Sequence, residues 1–242
     1  MSTYNLCYKI CAQFIKTNPM IEQREQDAQD IYFKLLSAKD FDSNTFDERK
    51  RFLNKLLPLL AKKDLTGAQF RQTIETLMDS IDKANWPESL LIAREYYPFW
   101  INDLKAVARF NKNGSLNQLP IDWKPIKTNL SELWQKADEE KFGTTDSWAL
   151  KGYTKALRFE NAEPALIETR LKLAKILLMR LKDAPDKSNQ IYRTAVDATL
   201  PLFDVKKNRR LFLVVVREFF HFWAGNPDAE KYILNSNTVS ML

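Results

Sequence analysis

Glycine is scarce in this chain, and the scarcity excludes several architectures. Five glycines stand in 242 residues, at Gly67, Gly114, Gly143, Gly152 and Gly225, against a usual frequency of about 7%. A sandwich or barrel needs many tight turns, and a nucleotide-phosphate loop needs backbone that can approach its ligand closely; few residues here offer either. No P-loop, G-x-G-x-x-G, H-E-x-x-H or G-x-S-x-G pattern occurs, which removes the commoner phosphate-binding, zinc-protease and hydrolase signatures. Histidine is rarer still. His221 is the only one, so imidazole acid–base chemistry would rest on it alone.

Cysteine is limited to Cys7 and Cys11. Spaced i, i+4, they share one helix face, but zinc would need two further thiol or imidazole ligands. They read as small apolar residues in a helix interface, in a compartment where thiols stay reduced. Asp40-Phe-Asp42-Ser-Asn44 begins like a calcium loop, yet Thr45 occupies the glycine position and Arg51 the place of the bidentate glutamate, so these residues read as a helix cap. No metal or cofactor is expected. Long apolar runs are absent too: the longest is the six residues Leu211 to Val216, and the opening MSTYNLCYKIC has no basic stretch followed by an apolar one. Neither a signal peptide nor a membrane span is expected, and the location implied is cytoplasmic.

What the chain does have is helical period. With 45% hydrophobic and 28% charged residues it has the composition of an ordinary globular protein. Apolar residues recur every three to four positions, predicting helices over 3–17, 20–38, 46–62, 66–84, 87–109, 129–141, 145–159, 163–183, 187–203, 206–224 and 227–234, with no convincing strand. Start signals agree: Thr45 with Glu48 and Thr66 with Gln69 fit the capping box, and Asn226-Pro227 opens the last segment. The fold class is all-α, a multi-helix bundle or irregular array of about ten helices divisible into two helical subdomains. Asn111 to Lys127 breaks the period with Gly114, Pro120 and Pro125. The expected division is therefore an N-terminal bundle over 1–110, a linker over 111–128 packed down by Trp123, and a C-terminal bundle over 129–242. Leu57-Pro58-Leu59, Tyr97-Pro98-Phe99 and Leu200-Pro201-Leu202 hint at repetition, but their irregular spacing matches no tetratricopeptide consensus and reads as kinked helices instead.

Charge is regional. Residues 148–217 carry fifteen Lys and Arg against seven Asp and Glu, whereas residues 1–147 carry twenty-one of each sign. A regional excess points to an acidic partner surface. On the 206–224 helix, Lys206, Lys207, Arg210, Arg217 and His221, with Val214 and Glu218, trace one narrow ribbon on an otherwise apolar wheel. The ribbon reads either as an anion-contacting stripe, with guanidinium forks for phosphate or carboxylate, or as an ordinary solvated edge. Lys172, Lys175 and Lys182 on the 163–183 helix, with Lys151, Lys155 and Arg158, extend the basic surface. Trp148, Tyr153, Phe159 and Tyr192 interleave with these cations as stacking platforms would, or as core residues would. Arg170 falls within an apolar face and calls for a partner, Glu218 or Asp197. Asp138-Glu139-Glu140 reads as a solvated helix end.

The function expected from these features is a non-enzymatic helical adaptor or structural subunit of a multi-subunit protein assembly, with an acidic partner on its basic C-terminal half. The alternative is a nucleic-acid-binding subunit, such as one of a ribonucleoprotein or defence complex, gripping phosphates along the same region. An enzyme whose carboxylates, Tyr and Lys converge only in three dimensions stands third, and a deep polar pocket would mark it. The final Thr238-Val-Ser-Met-Leu242 reads as a frayed end rather than a docking peptide.

Overall fold

Helical period becomes helix almost throughout the computed structural model, which describes residues 22–39, 43–113 and 123–234. Among these are ten α-helices and no strand: α1 Gln23–Ser37, α2 Ser43–Leu60, α3 Gly67–Met78, α4 Trp86–Trp100, α5 Leu104–Asn113, α6 Leu130–Lys136, α7 Thr144–Phe159, α8 Pro164–Arg180, α9 Asn189–Thr199 and α10 Lys206–Trp223. Short 3₁₀ turns lie at Lys83–Asn85, Leu200–Leu202 and Ala229–Tyr232. No helix among the described residues is long and apolar enough to cross a membrane. The chain divides into two compact units, residues 1–116 and 117–242. The expected helix over 3–17, the two cysteines, Asp40 to Asp42 and the last eight residues lie outside the described residues.

In the first unit α4 is the centre, packed on α1, α2, α3 and α5, with Tyr32, Leu36, Leu53, Leu56, Leu57, Leu60 and Tyr96 fully buried around it. In the second unit α10 packs on α7 and α8, and α8 also carries α6 and α9; Tyr153, Leu157, Leu177, Phe212, Val215 and Phe219 form its interior.

Each unit is built around the same buried charge cluster, of which only the pairing of Arg170 with Glu218 was expected from the sequence. In the first, the Tyr32 hydroxyl donates to Glu95 Oε2 at 3.0 Å, and Arg49 grips the same carboxylate with Nε at 2.9 Å and Nη2 at 3.0 Å. In the second, the Tyr153 hydroxyl donates to Glu218 Oε2 at 2.6 Å, and Arg170 Nη1 reaches both Glu218 oxygens at 3.0 and 3.2 Å. Tyrosine and glutamate are 63 residues apart in one cluster and 65 in the other; arginine and glutamate are 46 and 48 apart. Arg94-Glu-Tyr-Tyr-Pro-Phe-Trp100 on α4 answers Arg217-Glu-Phe-Phe-His-Phe-Trp223 on α10.

The ring contacts around the clusters repeat as well. Tyr32–Tyr96 and Tyr153–Phe219 both meet edge to face at 5.6 Å. Phe70–Tyr97 at 4.9 Å is matched by Tyr192–Phe220 at 5.1 Å, and Phe70–Trp100 at 5.2 Å by Tyr192–Trp223 at 4.9 Å. Chain reversals fall at matching places, with left-handed φ at Lys62 and Asp183 after α2 and α8, and at Asn102 and Gly225 after α4 and α10. Thr66 and Ser188 cap α3 and α9 by accepting the amides of Gln69 and Ile191. The chain is thus an internal repeat of one helical design, in which α1, α2, α3 and α4 correspond to α7, α8, α9 and α10; the prolines are not part of it, since Pro58 lies inside α2, Pro98 inside α4 and Pro201 in a 3₁₀ turn.

Other boundaries differ from expectation for local reasons. The helix expected over 87–109 is two, because Asn102 turns left-handed at φ 60° and Asp103 then caps α5 through the Ala106 amide at 3.0 Å. α2 begins at Ser43, two residues ahead of the Thr45 start that the sequence offered. The segments over 66–84 and 227–234 shorten to α3 and to a 3₁₀ turn. In the linker, Trp123 is half-buried and Pro125 buried.

Candidate functional site

The eleven basic and imidazole side chains singled out in the sequence fall into three groups with different electrostatic histories. On α10, Lys206 and Arg210 are half-buried, and Lys207 and Arg217 are exposed. Lys206, Arg210 and Arg217 each engage a neighbour already. The ribbon is not continuous. Val214 and Glu218, expected on its open arc, are buried, Glu218 because it is the carboxylate of the second unit's cluster. Burial raises the Glu218 pKa, while the Tyr153, Arg170 and Leu234 hydrogen bonds pull it back. His221 stacks flat on Tyr232 at 3.5 Å and 6°, and burial holds its pKa below the ordinary 6.5. That shift weakens whatever positive charge it would bring to the ribbon.

On α8, the lysines are neutralised from the segment that precedes them. Lys172 donates to Asp138 Oδ2 at 2.6 Å, Lys175 lies 3.7 Å from Asp138 Oδ1, and Lys182 donates to Glu140 Oε1 at 3.2 Å. The bond to Lys172, chiefly, draws the Asp138 pKa below the usual carboxylate value. Asp138 and Glu140 thus lie past the end of α6, where Asp138 and Glu139 are exposed as expected, and also serve as ion-pair partners of α8. Arg170 is fully buried on Glu218, the first of its two expected partners.

The third group, on α7, is different. Lys151, Lys155 and Arg158 are exposed, and none forms an ion pair among the described residues; Lys151 instead lies 5.4 Å above the Trp148 ring. At 100° per residue, Trp148, Lys151, Lys155, Arg158 and Phe159 share an arc of about 100°. The four interleaved aromatics of the sequence reading separate here: Tyr153 and Tyr192 belong to the core, while Trp148 is 68% exposed and Phe159 82%. The two free rings stand eleven residues apart, about 16 Å along the helix. Covering both would remove on the order of 250 Å² of apolar surface from water, about 6 kcal/mol before the costs of association.

The internal repeat shows that the fold does not require this face. Counting from the shared tyrosine, Trp148, Lys151, Lys155, Arg158 and Phe159 correspond to Asp27, Asp30, Lys34 and Ser37 of α1 and to Ala38 just past its end, which are exposed in the same way. Asp27 and Asp30 there accept from Gln23 and Gln26 at 2.7 and 3.0 Å. The same helix face, over the same core cluster, is polar in one unit and aromatic-basic in the other. Singly exposed apolar residues are commonplace; two large rings framing three unpaired cations are a patch.

The patch runs into a concavity. An open depression of about 570 Å³ lies between the end of α7 and the start of α8, lined by Arg158, Ala162, Pro164, Ile167 and Leu171 among others. A second, of about 390 Å³, lies near Trp223, where Lys187 donates to Asp146 at 3.0 Å and lies 5.4 Å over the Trp223 ring. No group of three metal-ligating side chains occurs among the described residues. Sequence reasoning counted the α7 cations but weighted α10 above them; the signal in reach was the pair of rings at 148 and 159 framing Lys151 and Lys155.

No family model, curated protein or solved structure matches this chain.

Proposed function

We propose that this protein is a non-enzymatic adaptor or structural subunit of a larger protein assembly, and that an acidic protein partner docks on its C-terminal unit. The observation that carries this reading is the α7 face: two large exposed rings framing three unpaired cations, on a helix whose counterpart in the same chain is polar. Exposed aromatics beside basic residues are the usual anchors of protein interfaces.

The alternative, a nucleic-acid-binding subunit, is less well supported by the same face. It lies on the convex side of a helix, with rings about 16 Å apart, whereas single-strand binders stack successive bases along a basic groove. Three free cations would neutralise about three phosphates, a salt slope near −2 on a single strand.

The test is affinity purification of the tagged chain from its host, with nuclease and at raised salt. A stoichiometric protein that survives both supports the adaptor reading. Nucleic acid retained in its place, or loss of all partners on digestion, overturns it.

A further inference from the structure

The α7 face also constrains the chemistry of what covers it. The geometry points to an acidic amphipathic helix of the partner, lying along α7 with one bulky apolar side chain seated in the depression at the α7–α8 corner; this inference rests on the adaptor reading above. Three features of the face specify that occupant. Lys151, Lys155 and Arg158 recur at intervals of four and three, one per helical turn, which matches carboxylates spaced likewise on an opposing helix. Trp148 and Phe159 cap the two ends of the row and are 68% and 82% exposed, so the apolar contact lies at the ends and the charge between them. The depression, about 570 Å³, is lined by Ala162, Pro164, Ile167 and Leu171 together with Arg158, Asn161 and Glu168, so the partner's carboxylates belong on the α7 side of it and away from Glu168. It offers an apolar side chain a seat beside a guanidinium that can bind a neighbouring carboxylate in a fork. A polyanion without apolar residues would satisfy the lysines and leave both rings and the depression wet. An apolar helix without acids would bury three uncompensated cations.

Selection from a displayed library of random 20-residue peptides on the immobilised full-length chain tests this, followed by fluorescence anisotropy of the winning peptides. The expected winners carry Asp or Glu at three- and four-residue spacing together with Leu, Ile, Phe or Trp. Their affinity should fall at least 10-fold on Trp148→Ala/Phe159→Ala and again on Lys155→Glu/Arg158→Glu. All four positions are exposed, so thermal melts of both variants should overlay the wild type and separate lost binding from lost folding. Winners that are not acidic, winners that bind both variants as well as the wild type, no winner above background, or tighter binding of a 20-nucleotide oligo-dT than of any peptide would each overturn the inference. The adaptor reading would then still stand or fall on the host purification, which requires no particular face.

Discussion

Tyr96→Phe should make this protein more stable. Tyr96 is fully buried in the first unit, and its hydroxyl has no hydrogen-bond partner among the described residues. Burial, with Glu25 adding to it, drives its pKa well above the usual phenol value, as expected for an O–H that nothing stabilises once ionised. The matching position of the second unit is Phe219, which holds the same edge-to-face contact at 5.6 Å without the oxygen. A buried unpaired hydroxyl costs roughly 1–3 kcal/mol, and the substitution leaves the ring in place. The expected gain is about 1 kcal/mol, or roughly 2–4 °C in Tm for a chain of this size. Tyr32→Phe should do the opposite, losing roughly 1.5–3 kcal/mol, because that hydroxyl donates to the Glu95 carboxylate at 3.0 Å. Urea unfolding followed by far-UV circular dichroism would give both midpoints, with an unchanged slope showing that stability alone has moved. A loss of more than 1 kcal/mol on Tyr96→Phe would refute the reasoning. It would mean that the hydroxyl is satisfied, and that the two units are not interchangeable at this position.

Three further outcomes follow from the same geometry. Arg170→Met should cost about 3–5 kcal/mol by stranding Glu218 in the core, and Arg170→Met/Glu218→Gln should recover part of that loss; a double-mutant cycle in denaturant measures the coupling. Gly152→Leu should destabilise by about 1–3 kcal/mol through overpacking, since even a Cβ there would lie 3.2 Å from Phe222 Cδ1. His221 should titrate below 6.5 in a proton NMR titration of the folded chain. Because its folded pKa is depressed, the contribution of the neutral ring is fully present above 6.5 and is lost as pH falls through the lower folded value. A midpoint above 6.5 would contradict the burial argument.

The helices were legible in the sequence because one buried stripe per helix imposes the 3.6-residue period wherever a core exists, and Thr66 announced its cap in the same way. The break at Asn102 was not, because Trp86 to Phe110 is apolar on both sides of it and only the Asn-Asp pair marks the left-handed turn and new cap. The repeat was hidden for a different reason. Its core tolerates Tyr96 in place of Phe219 and Leu53 in place of Ala174, so most identity has drained away except at the residues that must balance a buried charge. Arg-Glu followed by two rings and ending in Phe-Trp was visible at 94–100 and 217–223, but only a structure tells which Tyr completes each cluster and that Arg49 answers Arg170. The regional charge excess directed attention to the second unit, yet sequence cannot pair Lys172 with Asp138 across 34 residues. It therefore cannot separate neutralised lysines from the free ones of α7.

The face proposed to be covered in the complex is α7, and not the α10 ribbon. Covalent footprinting with mass spectrometry, comparing the chain purified from its host in complex with the free recombinant chain, reads this directly. The expected result is strong protection of Trp148 and Phe159 in the complex, with Lys207 and Arg217 labelled equally in both samples. Protection confined to residues 206–221, with Trp148 and Phe159 labelled as freely in the complex as alone, would contradict it.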